Sequence, residues 1–304
     1  MFKGFEVSSN EQAFTLETLK SGIRFDGRKL EEMRDIDIRL GDEYGYVEVR
    51  LGNTKAIVRI SAQLAVPFED RPYEGIFQIS TEISPMAGPM FEAGRQSIDE
   101  VLISRLVEKA VRRSGALDLE SLCIIAGSRC WAVRADVHFL DYDGNFIDAT
   151  CLAVMVGLSH FKKPDIAING EEIVLFSTDQ RDPVPLSVLH IPLCVTFAFY
   201  NPNDVEENIK GSSSGELILV DPTMKEEAQS LGSMTLTLNK NREICQISKA
   251  GGLPIDAPVI MDCCSIAYSI VERLTEKIKQ LLKDDEAKRI DINVQRALSA
   301  ANDR

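Results

Sequence analysis

Segments with strand-like alternation are followed by helical segments twice along this chain, and that order constrains the fold more than any single motif. In the first half, apolar and polar residues alternate from Asp35 to Ile60 around a tight turn at Gly52-Asn53, and a further strand is predicted from Gly75 to Ile83. In the second half, strands are predicted at Leu193–Phe199, Glu216–Val220, Met234–Leu238 and Ile244–Ser248. Strands followed by helices, twice, indicate an α+β fold of two domains that share a core.

Capping signals and apolar spacing predict the main helices. Ser97 and Glu100 form a capping box, and the helix that they open extends to about Ser114. The segment Asp148–His160 is apolar on nearly every face, which is typical of a buried helix. A last helix has apolar residues at spacings of four and three, namely Ile266, Ile270, Leu274, Ile278 and Leu281.

A polar, proline-rich crossover is predicted at 165–186. We expect a first domain over residues 1–185 with an N-terminal helix (Glu11–Lys20), a second over 186–282, and a charged, flexible tail over 283–304.

The charge balance limits the classes of function. Aspartate and glutamate outnumber lysine and arginine by 47 to 34, which gives a formal charge of −13. A non-specific nucleic-acid-binding protein normally has a basic surface, so only a local basic strip fits here. No run approaches the ~18 apolar residues of a membrane span, and the first ten residues have no secretion signal. The seven cysteines fit neither a zinc site nor a disulfide set, which favours a reducing compartment. We expect no metal and no cofactor.

The helix that begins after Ser97 carries a basic stripe. At about 100° per residue, Arg105, Lys109 and Arg112 fall within roughly 60° of one another, on a different arc from the apolar residues. No acidic residue is expected at positions that match the stripe. One interpretation is that the stripe binds nucleic-acid phosphates, and the other is that it is an ordinary solvated helix face.

Three short motifs are better explained as turns or helix caps than as ligand-binding or catalytic sites. Gly127-Ser128-Arg129 lies between two predicted strands and is typical of a hairpin turn rather than a phosphate nest. Asp141-Tyr142-Asp143-Gly144 resembles a calcium loop, but Leu152 stands where an EF-hand needs glutamate. Asp221-Pro222-Thr223, followed by Glu226-Glu227, predicts a helix start with Asp221 as its cap. Paired carboxylates that hold magnesium or act as acid and base are the alternative for this last motif.

Six motifs along the chain carry a family resemblance. They are Arg24-x-Asp26-Gly27-Arg28 with Arg34, Glu82-Ile83-Ser84-Pro85-Met86-Ala87, Arg105-x3-Lys109-x2-Arg112-x-Ser114, Trp131-x-Val133-x2-Asp136-Val137, Leu140-Asp141-Tyr142-Asp143-Gly144-Asn145-x2-Asp148-Ala149 and Val220-Asp221-Pro222-Thr223-x3-Glu227. Over roughly residues 10–282 the chain resembles the RNase PH family and, within it, the non-phosphorolytic ring subunits of the RNA exosome. The resemblance implies the RNase PH fold, which has two tandem α+β domains with mixed sheets and packed helices, the first similar to domain 2 of ribosomal protein S5.

The chain departs from the family's active pattern at four positions. Phosphorolytic members hold phosphate with a Gly-Thr-Arg-like stretch at a helix N-terminus, directly after the Asp-Gly turn. Here Ile147 stands in place of that arginine, and Asp148 adds a charge that is expected to repel phosphate. Active members also carry two aspartates that flank a short loop, and Glu227 and Ser233 stand in their places. The resemblance therefore implies a degenerate site with no catalytic residue.

The same resemblance implies a role in RNA handling. Arg105, Lys109 and Arg112 match positions where the non-catalytic archaeal subunit offers arginines to RNA, although Lys109 keeps only the charge. We expect a non-catalytic subunit that lines the RNA channel of the exosome core ring for 3′-to-5′ RNA processing and degradation, including rRNA maturation and mRNA turnover. Such a subunit works in nucleus, nucleolus and cytoplasm.

The resemblance also implies a set of partners. They are other RNase PH-like ring subunits, cap subunits with S1 and KH domains, an associated processive exoribonuclease and single-stranded RNA in the channel, with no membrane partner. Two alternatives stay open: an active phosphate-dependent 3′-to-5′ exoribonuclease, and a scaffold without RNA contact.

Overall fold

The first half of the chain forms a mixed six-stranded sheet. The structure is a computed structural model that describes residues 8–92, 94, 97–169, 172–177, 180–200, 217–252 and 254–299. The strands are β1 (Ile36–Leu40), β2 (Tyr46–Leu51), β3 (Thr54–Ala65), β4 (Ile76–Ile83), β5 (Cys123–Ile125) and β6 (Arg129–Asp141). Their order is β1-β2-β3-β6-β4, with β5 on β6, and only β4 and β6 run parallel. The predicted turn at Gly52-Asn53 is confirmed, because Leu51 pairs with Thr54 across it.

Short ladders join the two halves. The strands are β7 (Lys162–Lys163), β8 (Ile166–Asn169), β9 (Glu172–Leu175) and β10 (Val184–Pro185), paired β7 with β10 and β8 with β9. The sequence predicted only an irregular crossover here. These strands were missed because they are two to four residues long, too short to show an alternating pattern.

A second, antiparallel sheet follows in the order β12-β11-β13-β14. Its strands are β11 (Leu193–Tyr200), β12 (Leu217–Val220), β13 (Gly232–Leu238) and β14 (Ile244–Lys249). All four predicted strands are therefore confirmed, and Glu216, the predicted first residue of β12, lies outside the described residues.

Five α-helices are present in the described part of the chain. They are α1 (Ser9–Lys20), α2 (Ile98–Arg112), α3 (Phe146–His160), α4 (Met224–Gln229) and α5 (Ala257–Ser299). The buried helix predicted from Asp148 is α3, which packs against β2 and β3 on one side and β11 on the other. One hydrophobic core therefore contains residues of both halves, for example Val58, Met155, Val195 and Ile278. None of the described helices is both long and apolar enough to cross a membrane.

The C-terminal helix differs from its prediction. α5 continues through Ser299, whereas the sequence predicted fraying from Lys283. Arg289 provides the physical reason, because its Nη1 donates to Asp42 O at 2.7 Å and its Nη2 to Gly41 O at 2.5 Å. These carbonyls belong to the turn between β1 and β2, so the helix is fixed to the first sheet. The last five residues of the predicted tail, 300–304, lie outside the described residues.

Candidate functional site

The helix that carries the basic stripe is anchored at its start by a buried carboxylate. Ser97 Oγ accepts from the amide of Glu100 at 3.2 Å, and Glu100 Oε2 accepts from the amide of Ser97 at 2.8 Å, which confirms the predicted capping box. Glu100 Oε1 accepts from the amide of Ile83 at 2.9 Å, so the cap also ties α2 to β4. Because Ile103 and Val107 are buried beneath the helix, its basic side chains point away from this core.

An acidic residue pairs with two members of the basic stripe. Glu108 Oε2 lies 3.0 Å from Arg105 Nη1, and Glu108 Oε1 lies 3.7 Å from Arg112 Nη1. The expectation that the stripe has no acidic partner is therefore wrong. Glu108 is three residues after Arg105 and four before Arg112, the spacings at which helical side chains meet. Lys109 has no ion-pair partner among the described residues.

Five of the predicted site residues line one cavity of about 250 Å³ between α2 and the second sheet. They are Arg105, Lys109, Ile147, Glu227 and Ser233. Arg112 does not line this cavity. It lies instead in a neighbouring groove along β4, together with Arg105 and Arg134. The stripe therefore borders two separate hollows, with Arg105 between them.

A carboxylate occupies the N-terminus of α3. Glu227 Oε1 accepts from the backbone amide of Asn145, the N-cap, at 3.0 Å, and its Oε2 accepts from Tyr142 Oη at 2.9 Å. Burial raises the pKa of Glu227 more than these hydrogen bonds lower it. The turn is too close to α4 for a side chain at Gly144, whose φ is +84° and where a Cβ would lie 2.6 Å from the backbone of Thr223. Asn145 also has a positive φ, 57°, which asparagine tolerates.

Asp148 is a buried residue of the core and does not lie at the surface. Its side chain is buried and accepts from the Thr196 amide at 2.9 Å, Thr196 Oγ1 at 2.7 Å and Asn145 Nδ2 at 2.8 Å. Burial raises the pKa of Asp148 to about 7, although these hydrogen bonds oppose the shift. The expectation that Asp148 acts as a repelling surface charge is corrected, because its carboxyl group joins α3 to β11.

The predicted cap of α4 is wrong by two residues. Thr223 is the N-cap and forms a capping box with Glu226, whereas Asp221 is buried with a φ of 50°. Asp221 accepts from Arg34 through both carboxylate oxygens at 2.8 Å and from Asn145 Nδ2 at 2.6 Å. Burial alone raises the pKa of Asp221, but Arg34 outweighs it and holds that pKa below its usual value.

The other carboxylates of this motif are also engaged. Glu226 accepts from Arg24 Nε at 3.0 Å and Nη2 at 2.5 Å, and both side chains are buried. Neither Glu226 nor Glu227 is thus available as a magnesium ligand, and no cluster of three or more metal-ligating side chains occurs among the described residues. Gly127-Ser128 forms the predicted hairpin turn between β5 and β6.

The sequence did not predict the roles of Tyr142 and Asn145 at the site, nor the pairing of Arg34 with Asp221. An Asp-Gly-Asn sequence is a turn signal that can place a positive φ at the asparagine, so Asn145 was detectable. The partners of Arg34 and Tyr142 lie 187 and 85 residues away, and no local pattern shows them.

Sequence and structure comparisons identify the class of protein. The models of the 3′ exoribonuclease family match residues 32–164 with domain 1 and residues 190–270 with domain 2. The chain therefore belongs to the 3′ exoribonuclease family, the RNase PH family, which confirms the resemblance and the fold class. Within that family it is similar to sequences named exosome complex component RRP45.

The similarity to these relatives extends over most of the chain. The Saccharomyces cerevisiae RRP45 is 60% identical over 95% of each chain, and the Schizosaccharomyces pombe one is 49% identical over 94% of each. The human RRP45 is 39% identical over 92% of this chain and 61% of its own length. A chain of the Archaeoglobus fulgidus exosome with RNA bound to the active site superposes with a TM-score of 0.74 at 27% identity, covering 88% of this chain and 97% of its own.

Proposed function

We propose that this chain is a non-catalytic RNase PH-fold subunit of an exosome core ring and that helix α2 contacts the RNA passing through the ring. The names of the RRP45 relatives and the archaeal exosome structures support the ring assignment. Arg105, Lys109 and Arg112 would contact single-stranded RNA for 3′-to-5′ processing and degradation.

The observation that carries the non-catalytic assignment is the carboxylate of Glu227 at the N-terminus of α3. The Asn145 amide, at the start of the stretch that holds phosphate in phosphorolytic members, already donates to the carboxyl group of Glu227. A phosphate placed there would have to displace the carboxyl group of Glu227, and Ile147 offers no guanidinium to hold it. Ile147, Glu227 and Ser233 therefore support an inactive site, whereas Asp148 at this degenerate position has a structural role.

The exposure of the basic stripe supports RNA contact at the side of α2 that borders the cavity next to the second sheet. Arg105 is 69% exposed at its side chain, and Lys109 is exposed without an ion-pair partner in the described part of the chain. Neither side chain belongs to the buried face of the helix, so both are available to phosphates. Such interactions act largely through counterion release and depend strongly on salt.

Changing Arg105, Lys109 and Arg112 together to glutamate tests the RNA contact in an assembled complex. Degradation of a long, threaded RNA should fall, whereas a short RNA that reaches the nuclease directly should be cut at the normal rate. The slope of log affinity against log salt should become shallower by about 0.7 for each phosphate that the variant no longer neutralises. Equal rates on both RNAs, from a complex shown to be fully assembled, would contradict the proposal.

An assay for phosphate-dependent RNA shortening tests whether this chain is non-catalytic. The purified chain, alone or with its ring neighbour, should show no phosphate-dependent shortening of RNA at its own site. If such activity appears, and Glu227→Ala or Asp148→Ala removes it while circular dichroism shows an intact fold, the chain is instead the phosphate-dependent exoribonuclease.

A scaffold without RNA contact is the second candidate function, and the pairing of Glu108 with Arg105 and Arg112 favours it. In that case Glu108 offsets one of the three positive charges of the stripe, and the stripe faces solvent or an acidic partner. Crosslinking of RNA to this chain inside the assembled ring distinguishes the two candidates.

The proposal extends to partners and location. A ring subunit of this kind would contact other RNase PH-like subunits, cap subunits with S1 and KH domains, and a processive exoribonuclease, in nucleus, nucleolus and cytoplasm. Mass spectrometry of the complex purified from each compartment would test this, and a chain recovered without ring subunits would contradict it.

A further inference from the structure

Two pairs of cysteines lie side by side in this structure, and they differ in their access to solvent. Cys123 of β5 is directly opposite Cys130 of β6 in the antiparallel ladder of the hairpin. The second pair is Cys151 of α3 and Cys194 of β11, whose thiol groups share a hydrogen bond. Both members of the second pair are buried, whereas Cys123 is partly exposed. A dissolved reagent can therefore reach the first pair and not the second.

The ladder places Cys123 and Cys130 at a separation that a disulfide can bridge. Directly opposite residues of an antiparallel pair have Cα atoms about 4.5–5.5 Å apart and side chains on the same face of the sheet. A disulfide needs a Cα separation of about 4.4–6.8 Å. The thiols also influence each other, because burial raises the pKa of Cys130 and the nearby Cys123 raises it further. The two sulfur atoms can thus bond without a shift of register.

The two thiols have different environments, and this difference assigns them different roles. Cys123 is the thiol that a solute can reach, and its Sγ contacts the carbonyl oxygen of Pro72 at 3.9 Å, a weak interaction. Cys130 has no exposed surface, so it can react only with a group that Cys123 already carries. An accessible thiol beside a second, resolving thiol is the usual arrangement of redox-sensing cysteines.

We propose that Cys123 and Cys130 are a modification site, at which a peroxide produces a reversible disulfide that ties β5 to β6. β5 has three residues and pairs with β6 at two positions, so a covalent bond adds substantially to its attachment. Disulfides in a reducing compartment are usually transient, and exposed ones are the most easily reduced. This inference goes beyond the proposed RNA function and does not depend on it.

The oxidation proceeds in two balanced steps with hydrogen peroxide as the oxidant. The Cys123 thiolate attacks one peroxide oxygen, the O–O bond breaks, and the departing hydroxide becomes water with the proton that the thiol released. The sulfur of Cys130 then attacks the sulfur of the Cys123 sulfenic acid, so that the S–S bond forms and the S–O bond breaks. The hydroxyl group leaves as water with the proton of Cys130. Two thiols thus lose two electrons, and peroxide is reduced to two molecules of water.

Peptide mapping of the full-length chain after peroxide treatment tests the proposal. The protein is treated with hydrogen peroxide, quenched with catalase, alkylated in denaturant and digested with trypsin. Trypsin cleaves after Arg129, between the two cysteines, so the disulfide should link the peptides 114–129 and 130–134. Dithiothreitol should separate the linked peptides. Alkylation of Cys123 and Cys130 should be lost after peroxide and restored by dithiothreitol.

The buried pair of cysteines is the internal control for access. Alkylation of Cys151 and Cys194 in denaturant should be unchanged by the same treatment, because peroxide does not reach them in the folded chain. A disulfide between these two residues under the same conditions would contradict the argument from access. Amide hydrogen exchange of β5 should also become slower in the oxidised chain, because the cross-link opposes separation of the two strands.

Two serine variants test the separate roles of the thiols. In Cys130→Ser the resolving thiol is missing, so peroxide should leave a sulfenic acid on Cys123 that dimedone labels. In Cys123→Ser the accessible thiol is missing, so Cys130 should stay fully alkylatable after peroxide. Each substitution replaces a single sulfur by oxygen, and circular dichroism should show an intact fold.

Three outcomes would overturn the proposal. The first is the absence of linked peptides under conditions that convert the exposed Met86 to its sulfoxide. The second is a disulfide between two chains, seen as a dimer on a non-reducing gel, in place of the link within one chain. The third is exchange of β5 that does not slow after oxidation. These measurements use the unmodified chain, so they decide the matter even if a variant fails to fold.

Discussion

At the scale of single residues, two buried carboxylates near the start of α3 differ in whether a cation compensates them. Asp221 has Arg34 at 2.8 Å and keeps a lowered pKa, whereas Asp148 is held only by neutral donors and its pKa rises to about 7. Hydrogen bonds alone do not offset the loss of water around a buried charge as well as a guanidinium does. The ionised form of Asp148 therefore costs stability.

The Asp148→Asn variant should reveal that cost as a difference in pH dependence. The ordinary aspartate pKa of 3.8 applies to the unfolded chain, and the folded value is about 7. Between these values the folded chain binds more protons, so the free energy of unfolding of the unmodified protein should fall as pH rises, by up to about 1.4 kcal/mol per unit. The loss should be complete above pH 7 and absent below pH 4.

Urea denaturation from pH 4 to pH 8 provides the measurement. Contributions of carboxylates distant from Asp148 are common to both proteins and cancel in the difference between them. Asp221, whose charge also raises the pKa of Asp148, has a lowered pKa of its own and therefore titrates below this pH range in the folded chain. A difference in unfolding free energy that stays constant across this range would show that Asp148 is ionised at its ordinary pKa.

The sequence was sufficient to predict the roles of some of these residues, and it was not sufficient for others. Ile147 and Glu227 were identified by their departure from a family pattern, and both line the same cavity as Lys109. The roles of Asp148 and Asp221 depend on Thr196 and Arg34, which lie 48 and 187 residues away in the chain. Burial and pairing across such separations are properties of the packed core and leave no local pattern.

At the scale of elements, the charge of α2 depends on the one acidic residue that it presents between two arginines. Glu108 is half-buried and lies against both Arg105 and Arg112. An exposed pair of this kind contributes little to stability, with values of about 0.2–1 kcal/mol. Its effect on the potential around the helix is larger, because it offsets one of three nearby positive charges.

The Glu108→Gln variant should bind single-stranded RNA more tightly than the unmodified protein. Both arginines become free to meet phosphates, so the salt slope should steepen by up to about 1.4, or 0.7 for each additional phosphate that is neutralised. Filter binding or fluorescence anisotropy at several salt concentrations measures this. Glu272→Gln on α5 is the matched control, and an unchanged slope in Glu108→Gln would favour the scaffold candidate.

The last part of α5 depends on Arg289. Its guanidinium donates to Gly41 O and Asp42 O, lies 4.6 Å from the ring centroid of Tyr44 and is 2.5 Å from Asp285. Gly41 lies 248 residues before Arg289 in the chain, and Asp42 and Tyr44 are similarly distant. Asp285, one helical turn before Arg289, is the exception. For that reason the apolar stripe predicted the helix as far as Leu281, and no local pattern indicated its continuation.

Replacing Arg289 with alanine should release this part of the helix. Amide hydrogen exchange of residues 283–299 should become faster, and the free energy of unfolding should fall by about 1–3 kcal/mol, because two backbone carbonyls lose a charged donor. Lys288→Ala is the control, since Lys288 is exposed and has no hydrogen bond or ion pair in the described structure. Unchanged exchange in Arg289→Ala would mean that helix propensity alone maintains the segment.

At the scale of the whole molecule, large apolar side chains are exposed around the first sheet. Ile98 is 80% exposed, Met86 is 77% and Tyr73 is 68%, and β4 forms an edge of the sheet. Exposed apolar groups beside a strand edge are features of surfaces that bind other chains. The fold class and nearly every long strand followed from the sequence, whereas the arrangement of these exposed groups required the structure.

The isolated chain should therefore associate with itself. We expect concentration-dependent aggregation at micromolar concentration when it is produced alone, and a soluble complex when it is produced with a ring neighbour of the same fold. Light scattering after size-exclusion chromatography measures both. A monodisperse monomer at these concentrations would count against an obligate place in a ring.

The ion pair between Arg34 and Asp221 also has a consequence for synthesis on the ribosome. At about 5–20 residues per second, roughly 10–40 s of translation separate the two residues, which stand 187 positions apart. During that interval Arg34 has no carboxylate from Asp221, and α3 has only one of the two sheets that cover it. The nascent first half thus leaves the exit tunnel with an incomplete core. Chaperones at the ribosome have this interval in which to bind it.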